Sequence, residues 1–159
     1  MARIRVSAER TIPAPAEAVY ALLADYRDGH PSILPPAFSD FAVLEGGSGA
    51  GTRIRFKLTL GSRTQETEGI VAEPETGRVL TETYPRDNSV TTFTVDPEGD
   101  ASRLRIETTW DSRPGFAGLV GRFLAPRLLK PLYRDELDRI EAWARQRSGQ
   151  EPLASSGPR

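Results

Sequence analysis

The stretch from Phe116 to Trp143, FAGLVGRFLAPRLLKPLYRDELDRIEAW, decides the fold. Phe116, Leu119, Val120, Phe123 and Leu124 make one apolar group at helical spacing. Leu132, Leu137, Ile140 and Trp143 continue it, with Asp135, Glu136, Asp138, Arg139 and Glu141 read as the outer, solvated side. Pro126 and Pro131 are predicted to interrupt or kink the run, because proline removes a backbone donor and crowds the preceding turn. An apolar helix of this length must be covered, and Thr-rich strands precede it. A curved sheet closing on one helix leaves a hollow between them, so the expectation is binding of an apolar small molecule.

Working outward, the chain is long enough, at 159 residues, for one domain with a real core, and no linker divides it. The domain is read as residues 1–147. Residues 148–159, rich in Gly, Gln, Ser, Pro and Arg, read as a disordered tail. Twenty-one Lys and Arg against 22 Asp and Glu give a net charge of −1, without the basic excess of a nucleic-acid binder. Cysteine is absent, which excludes disulfides, thiolate metal sites and a cysteine nucleophile. Arg3 and Arg5 break the early apolar residues, so nothing near Met1 resembles a signal peptide, and no window suits a transmembrane segment. A cytoplasmic protein is expected.

The strands are legible from alternation. Ile4, Val6 and Ala8 face opposite Arg3, Arg5, Ser7 and Glu9 in a first strand over residues 3–12. Pro13 and Pro15 close it, and Ala16, Val19, Leu22 and Leu23 predict a helix ending near Tyr26. Residues 28–36, with three prolines, predict a loop or short helical turn. A short strand over Phe41 to Leu44 and the glycine turn from Gly46 to Gly51 follow. Next, Ile54, Phe56, Leu58 and Leu60 share one strand face. Gly61-Ser62 predicts a hairpin into residues 63–73, and further strands are expected at 78–84, 89–95 and 102–110. Short connections imply an antiparallel meander. Leu104, Ile106, Thr108 and Trp110 share a face of the last strand, whereas Ile70 and Val71 vote for opposite faces of the fourth.

With these elements in order, the chain resembles the START-like, or SRPBCC, superfamily of polyketide cyclases and lipid-transfer domains. The words that carry the resemblance are Thr11-Ile12-Pro13-Ala14-Pro15-Ala16-Glu17-Ala18-Val19-Tyr20, and Ala24-Asp25-Tyr26 followed by His30-Pro31 and Leu34-Pro35. Gly49-Ala50-Gly51-Thr52, Glu73-Pro74 and the helix from Leu137 to Trp143 complete them, over about residues 3–146. The resemblance implies an α+β helix-grip fold: a seven-stranded antiparallel sheet wrapped around a long C-terminal helix, with an elongated ligand cavity between them.

The expected ligand-binding residues are Tyr26, His30, Ile33, Phe56, Leu58, Glu68 and Tyr84 from the N-terminal two thirds. Phe93, Trp110, Phe116, Val120, Phe123 and Leu124 join them from the last strands and helix. His30, the sole histidine, is either a general base or a loop residue beside a cavity entrance, and no Gly-x-Ser-x-Gly elbow accompanies it. Glu66 and Glu68 lie two apart on one strand face and become acid/base candidates only if that face points inward. Tyr26, Tyr84, Trp110 and Tyr133 either anchor a carbonyl or fill the core with a satisfied polar tip. No cofactor is called for, and one imidazole without thiols cannot assemble a His/Cys metal site. Arg113, Arg122, Arg127, Lys130 and Arg134 form an acid-free cationic stretch: a solvated face, a transient contact with an anionic membrane surface, or a holder for a ligand carboxylate. Gly115, Gly118 and Gly121 are expected to loosen the start of the helix or to let it approach the sheet, either of which offers a gate for the cavity. Two functions stay open. One is a carrier or sensor for a lipid, quinone or polyketide-like ligand; the other is a cyclase or dehydratase-like enzyme using an inward Glu, His or Tyr.

Overall fold

The computed structural model describes residues 3–112 and 116–150, with side chains for all of these except 116–123 and 150. The elements run β1 (Arg3–Ile12), α1 (Ala16–Ala24), α2 (Gly29–Ser32), β2 (Phe38–Glu45) and β3 (Arg53–Leu60). Then come β4 (Arg63–Glu75), β5 (Val79–Tyr84), β6 (Ser89–Glu98), β7 (Ala101–Asp111) and α3 (Phe116–Gln150). The seven strands form one sheet in the order β1-β7-β6-β5-β4-β3-β2, every neighbouring pair antiparallel. β2 through β7 is a meander; β1 pairs with β7 at one edge of the sheet, and α1 and α2 carry the chain from β1 to β2 at the opposite edge. The fold is the expected α+β helix grip.

Period-two alternation buries one face. Ile54 and Phe56 of β3, Leu80 of β5, Phe93 and Val95 of β6, and Leu104 and Ile106 of β7 all point at α3 and α1. The C-terminal half of α3 covers them with Leu132, Tyr133, Leu137, Ile140 and Ala144. Pro126 and Pro131 do not end the helix, which continues through both. Packing of its apolar stripe outweighs two lost backbone donors. The helix also reaches Gln150, beyond the expected boundary at residue 147; residues 151–159 lie outside the described part, as do the glycine at 115 and the side-chain surroundings of Gly118 and Gly121.

The ambiguous fourth strand is settled by its register. Ile54 pairs with Gly69, Phe56 with Thr67, and Val71 with Glu82, so Thr67, Gly69 and Val71 turn inward. Ile70 is left exposed. At Gly69 the inward position must be bare: a Cβ there would lie 2.7 Å from Cε1 of Tyr84, whose ring occupies the space. The strand also runs further than expected, through Pro74 to Glu75, with a bulge between Ala72 and Glu75 that absorbs the missing donor.

Candidate functional site

The two short helices set the inner wall of the site. Asp25 follows α1, and its carboxylate accepts hydrogen bonds from the backbone N–H of Arg27 and Asp28 at 3.2 Å and of Gly29 at 3.0 Å. This turn folds the chain back on itself, which the sequence favours because Asp caps its own downstream backbone. Gly29 is required there, since a Cβ would stand 2.6 Å from the Leu22 carbonyl oxygen. Tyr26 and His30 are thereby driven inward, their rings stacked at 4.6 Å, with Phe93 edge-on to His30 at 5.4 Å. His30 is buried rather than placed in an open loop.

Glu82 is the hub of this wall. β5 alternates Leu80, Glu82 and Tyr84 toward the interior, so a carboxylate occupies an apolar row and is only 5% exposed. Tyr26 Oη donates to Glu82 Oε1 at 2.7 Å, and Tyr84 Oη donates to Oε2. His30 Nδ1 lies 2.8 Å from the Leu23 carbonyl, which can only accept, so Nδ1 carries hydrogen and Nε2 faces Glu82 Oε1 at 3.5 Å. Burial, then the Glu82 charge and its hydrogen bonds, hold the Tyr26 and Tyr84 phenols well above their ordinary range, so both stay neutral donors.

The same lateral row continues across the sheet. Glu82 pairs with Thr91 and Thr91 with Thr108, and the two hydroxyls meet at 2.7 Å. Tyr133 reaches down from α3 to bond Thr108. One turn further along the helix, Glu136 is 3% exposed and its Oε1 has no hydrogen-bond partner among the described residues. Burial first, then the charges of Glu82 and Asp135, push its carboxyl up to about 8. Near neutral pH it is therefore chiefly a carboxylic acid, able to donate.

Between these walls lies a cavity of about 440 Å³, within the usual range for small-molecule sites. Its apolar surface comes from Ile4, Ile54, Phe56, Leu58, Phe93, Trp110 and Leu132, joined by Phe38 and Phe41 of β2, the first edge-on to Phe56 and the second stacked parallel to it. Its polar surface comes from Glu82, Tyr84, Thr91, Thr108, Tyr133 and Glu136, with Gln65, Asp87 and Asp111 toward the sheet edge. Among the described residues no cluster of His, Asp or Glu could hold a metal ion.

Of the residues expected in the lining, His30, Phe56, Leu58, Tyr84, Phe93 and Trp110 are brought together there. Tyr26 and Ile33 are fully buried behind the wall, where Tyr26 acts through Glu82. Glu68 is a correction: the register that turns Gly69 and Val71 inward turns it out, with its side chain 53% exposed beside Arg53 at 3.6 Å. Glu66 shares that outward face. Leu124 is also corrected, being 49% exposed on the outer side of α3. The side chains of Phe116, Val120, Phe123 and Arg122, and all of Arg113, lie outside the described residues. Glu136, read as solvated, is instead among the most buried charged groups. Glu82 is absent from the sequence-based candidates, and its place between Leu80 and Tyr84 on one strand face is the signal that points to it.

Solved structures with this architecture include the KanY protein, 29% identical, with a TM-score of 0.80 over 91% of this chain and 99% of its own. A protein of Thermus thermophilus is 27% identical, with a TM-score of 0.71 over 91% and 99%. The Zhui aromatase/cyclase from Streptomyces shares the fold at 15% identity, with a TM-score of 0.74 over 92% and 96%. No match was found among curated proteins. The sequence profile described as polyketide cyclase / dehydrase and lipid transport matches residues 3–145. With nearly the whole domain covered by that match, the chain belongs to the polyketide cyclase/dehydrase and lipid-transport family.

Proposed function

We propose that this protein binds an apolar small molecule of the lipid, quinone or polyketide type in the cavity between the sheet and α3. The observation that supports the reading is the hollow itself, about 440 Å³ walled largely by aromatic and aliphatic side chains. Enclosing a ligand there removes apolar surface from water on both partners, at about 25 cal/mol per Å². Native mass spectrometry of the protein purified from its producing cells tests this. A copurifying apolar compound, released on denaturation, is expected. A folded protein that carries no such mass, and takes up none when offered apolar compounds, overturns it.

A second reading, a cyclase or dehydratase-like enzyme, is favoured by one arrangement: Glu136 as a neutral acid across the cavity from the Glu82–His30 pair. A carbonyl held between them could be protonated by Glu136 while the pair accepts a proton from an adjacent carbon. Incubation with a poly-β-carbonyl chain, followed by mass analysis, should then show loss of water that Glu136→Gln abolishes. An unchanged compound returned intact supports the carrier instead.

Ligand exchange at an anionic membrane surface fits the outer side of α3, where Leu124 and Leu128 are 49% and 42% exposed beside Arg127, Lys130 and Arg134. No helix among the described residues is long and apolar enough to cross a membrane. Cosedimentation with vesicles containing anionic lipid, lost on Arg127→Glu with Lys130→Glu, is expected. Equal binding to neutral vesicles contradicts it.

A further inference from the structure

Building on the cavity-binding reading, we propose that the preferred ligand is an amphiphilic amine, an apolar body whose protonated nitrogen docks at Glu136 among aromatic rings. The polar lining has one sign. It offers the carboxyls of Glu82, Glu136, Asp87 and Asp111, and neither Lys nor Arg among the described residues. A ligand carboxylate would meet two buried glutamates without a counter-charge, which is costly in a water-poor site.

The two buried glutamates are not equivalent. Glu82 is already served by the hydroxyls of Tyr26 and Tyr84 and faces His30. Glu136 has a buried oxygen with no hydrogen-bond partner among the described residues, and the charges that act on it there are those of Glu82 and Asp135. An ammonium supplies what is missing there, both hydrogen-bond donors and positive charge. Phe56, Tyr84, Phe93 and Trp110 line the same space, and aromatic faces attract a desolvated ammonium further. A neutral alcohol or ketone could bond Glu136 but would use neither the charge nor the ring faces.

The proton balance follows from the groups facing Glu136. These are Glu82 and Tyr84 from β5, Tyr26 after α1, His30 of α2, and Tyr133 and Asp135 on α3 itself. The tyrosines are held neutral, so Glu136 is the group that gives up its proton to bulk water as the ammonium arrives. Amine affinity then rises with pH toward about 8, the value to which Glu136 is raised, and levels off above it. A ligand that only accepts a hydrogen bond from the neutral acid shows the opposite slope.

Displacement of the neutral probe N-phenyl-1-naphthylamine from the full chain by decylamine, decan-1-ol and decanoate, each below its micelle concentration, is the test. Decylamine is expected to bind at least about tenfold more tightly than either other compound at about pH 8.5, and about tenfold more weakly at about pH 6.5. Calorimetry in buffers of different ionisation heat should register release of close to one proton per amine bound at the lower pH. Glu136→Gln should erase the preference for the amine, so that decylamine and decan-1-ol bind alike, and should abolish the proton release. Decanoate or decan-1-ol binding as tightly as the amine, or amine binding without proton release, overturns the proposal. If the probe and all three compounds fail to bind, the cavity-binding reading itself is at fault; if probe and alcohol bind without preference for the amine, only this inference falls.

Discussion

The two ends of the grip use the same strands differently. Near α1 the space is solid: Ile12, Leu23, Leu104 and Ile140 are withdrawn from solvent entirely, and α3 lies against them. Toward the other end the inward positions of the same sheet carry larger rings, Phe56, Tyr84 and Trp110, yet they surround a void. Side-chain volume alone does not decide where the hollow lies. The void opens beside inward polar groups, the Thr91–Thr108–Tyr133 chain and the Glu82 hub, which break the apolar packing there. Packing at the closed end carries stability, and the open end is released for binding.

The largest effect expected from this contrast is at the closed end. Leu104→Ala should cost about 2–5 kcal/mol by chemical denaturation, because the vacated volume cannot collapse. Trp110→Ala, at the half-buried open end, should cost clearly less stability yet weaken binding of an apolar probe by about tenfold or more. Equal losses of stability would break the comparison. Glu82→Ala comes next, at about 3 kcal/mol, since it strands two buried phenol donors and the imidazole at once. A near-neutral result would remove Glu82 as the hub.

Glu136 sharpens the contrast through pH. Its folded-state value lies above that of the unfolded chain, from 4.5 to about 8, so the folded protein holds the extra proton between them. Stability is therefore highest below about 4.5, as far as this group is concerned, and declines as pH rises toward about 8, by on the order of a few kcal/mol. Glu136→Gln should flatten that slope in a series of melting curves; an unchanged slope would show that the carboxyl is not held neutral. The smallest effect belongs to Glu68→Ala, which should leave probe affinity unchanged and stability within about 0.5 kcal/mol, as an outward side chain requires. A loss of affinity would restore it to the cavity.

Where physical signals agreed, the sequence was sufficient. Strict alternation in β3 and β7 gave the correct inner faces, and Leu132, Leu137 and Ile140 gave the covering stripe of α3. The inner face of β4 was not legible. Ile70 and Val71 compete locally, and the contest is settled by a ring from another strand that only a bare Gly69 admits. Glu136 lies four residues after Leu132 and four before Ile140, on the buried stripe by spacing alone. Charge ordinarily means exposure, and sites of binding are where that rule gives way. The inward turn of His30 depends on Asp25 gathering three backbone donors and on Gly29 touching a carbonyl, contacts that spacing does not encode.

The central claim is that the enclosed volume admits a ligand, and Thr67 offers direct access to it. This residue faces the cavity from β4, and its side chain forms no hydrogen bond among the described residues. Thr67→Trp should fill the hollow with an indole while the sheet and the closed-end core persist. Titration with N-phenyl-1-naphthylamine should give saturable, one-to-one binding to the native chain and loss of that binding in a folded Thr67→Trp protein. Equal binding by both proteins, or none by the native chain, would contradict the account.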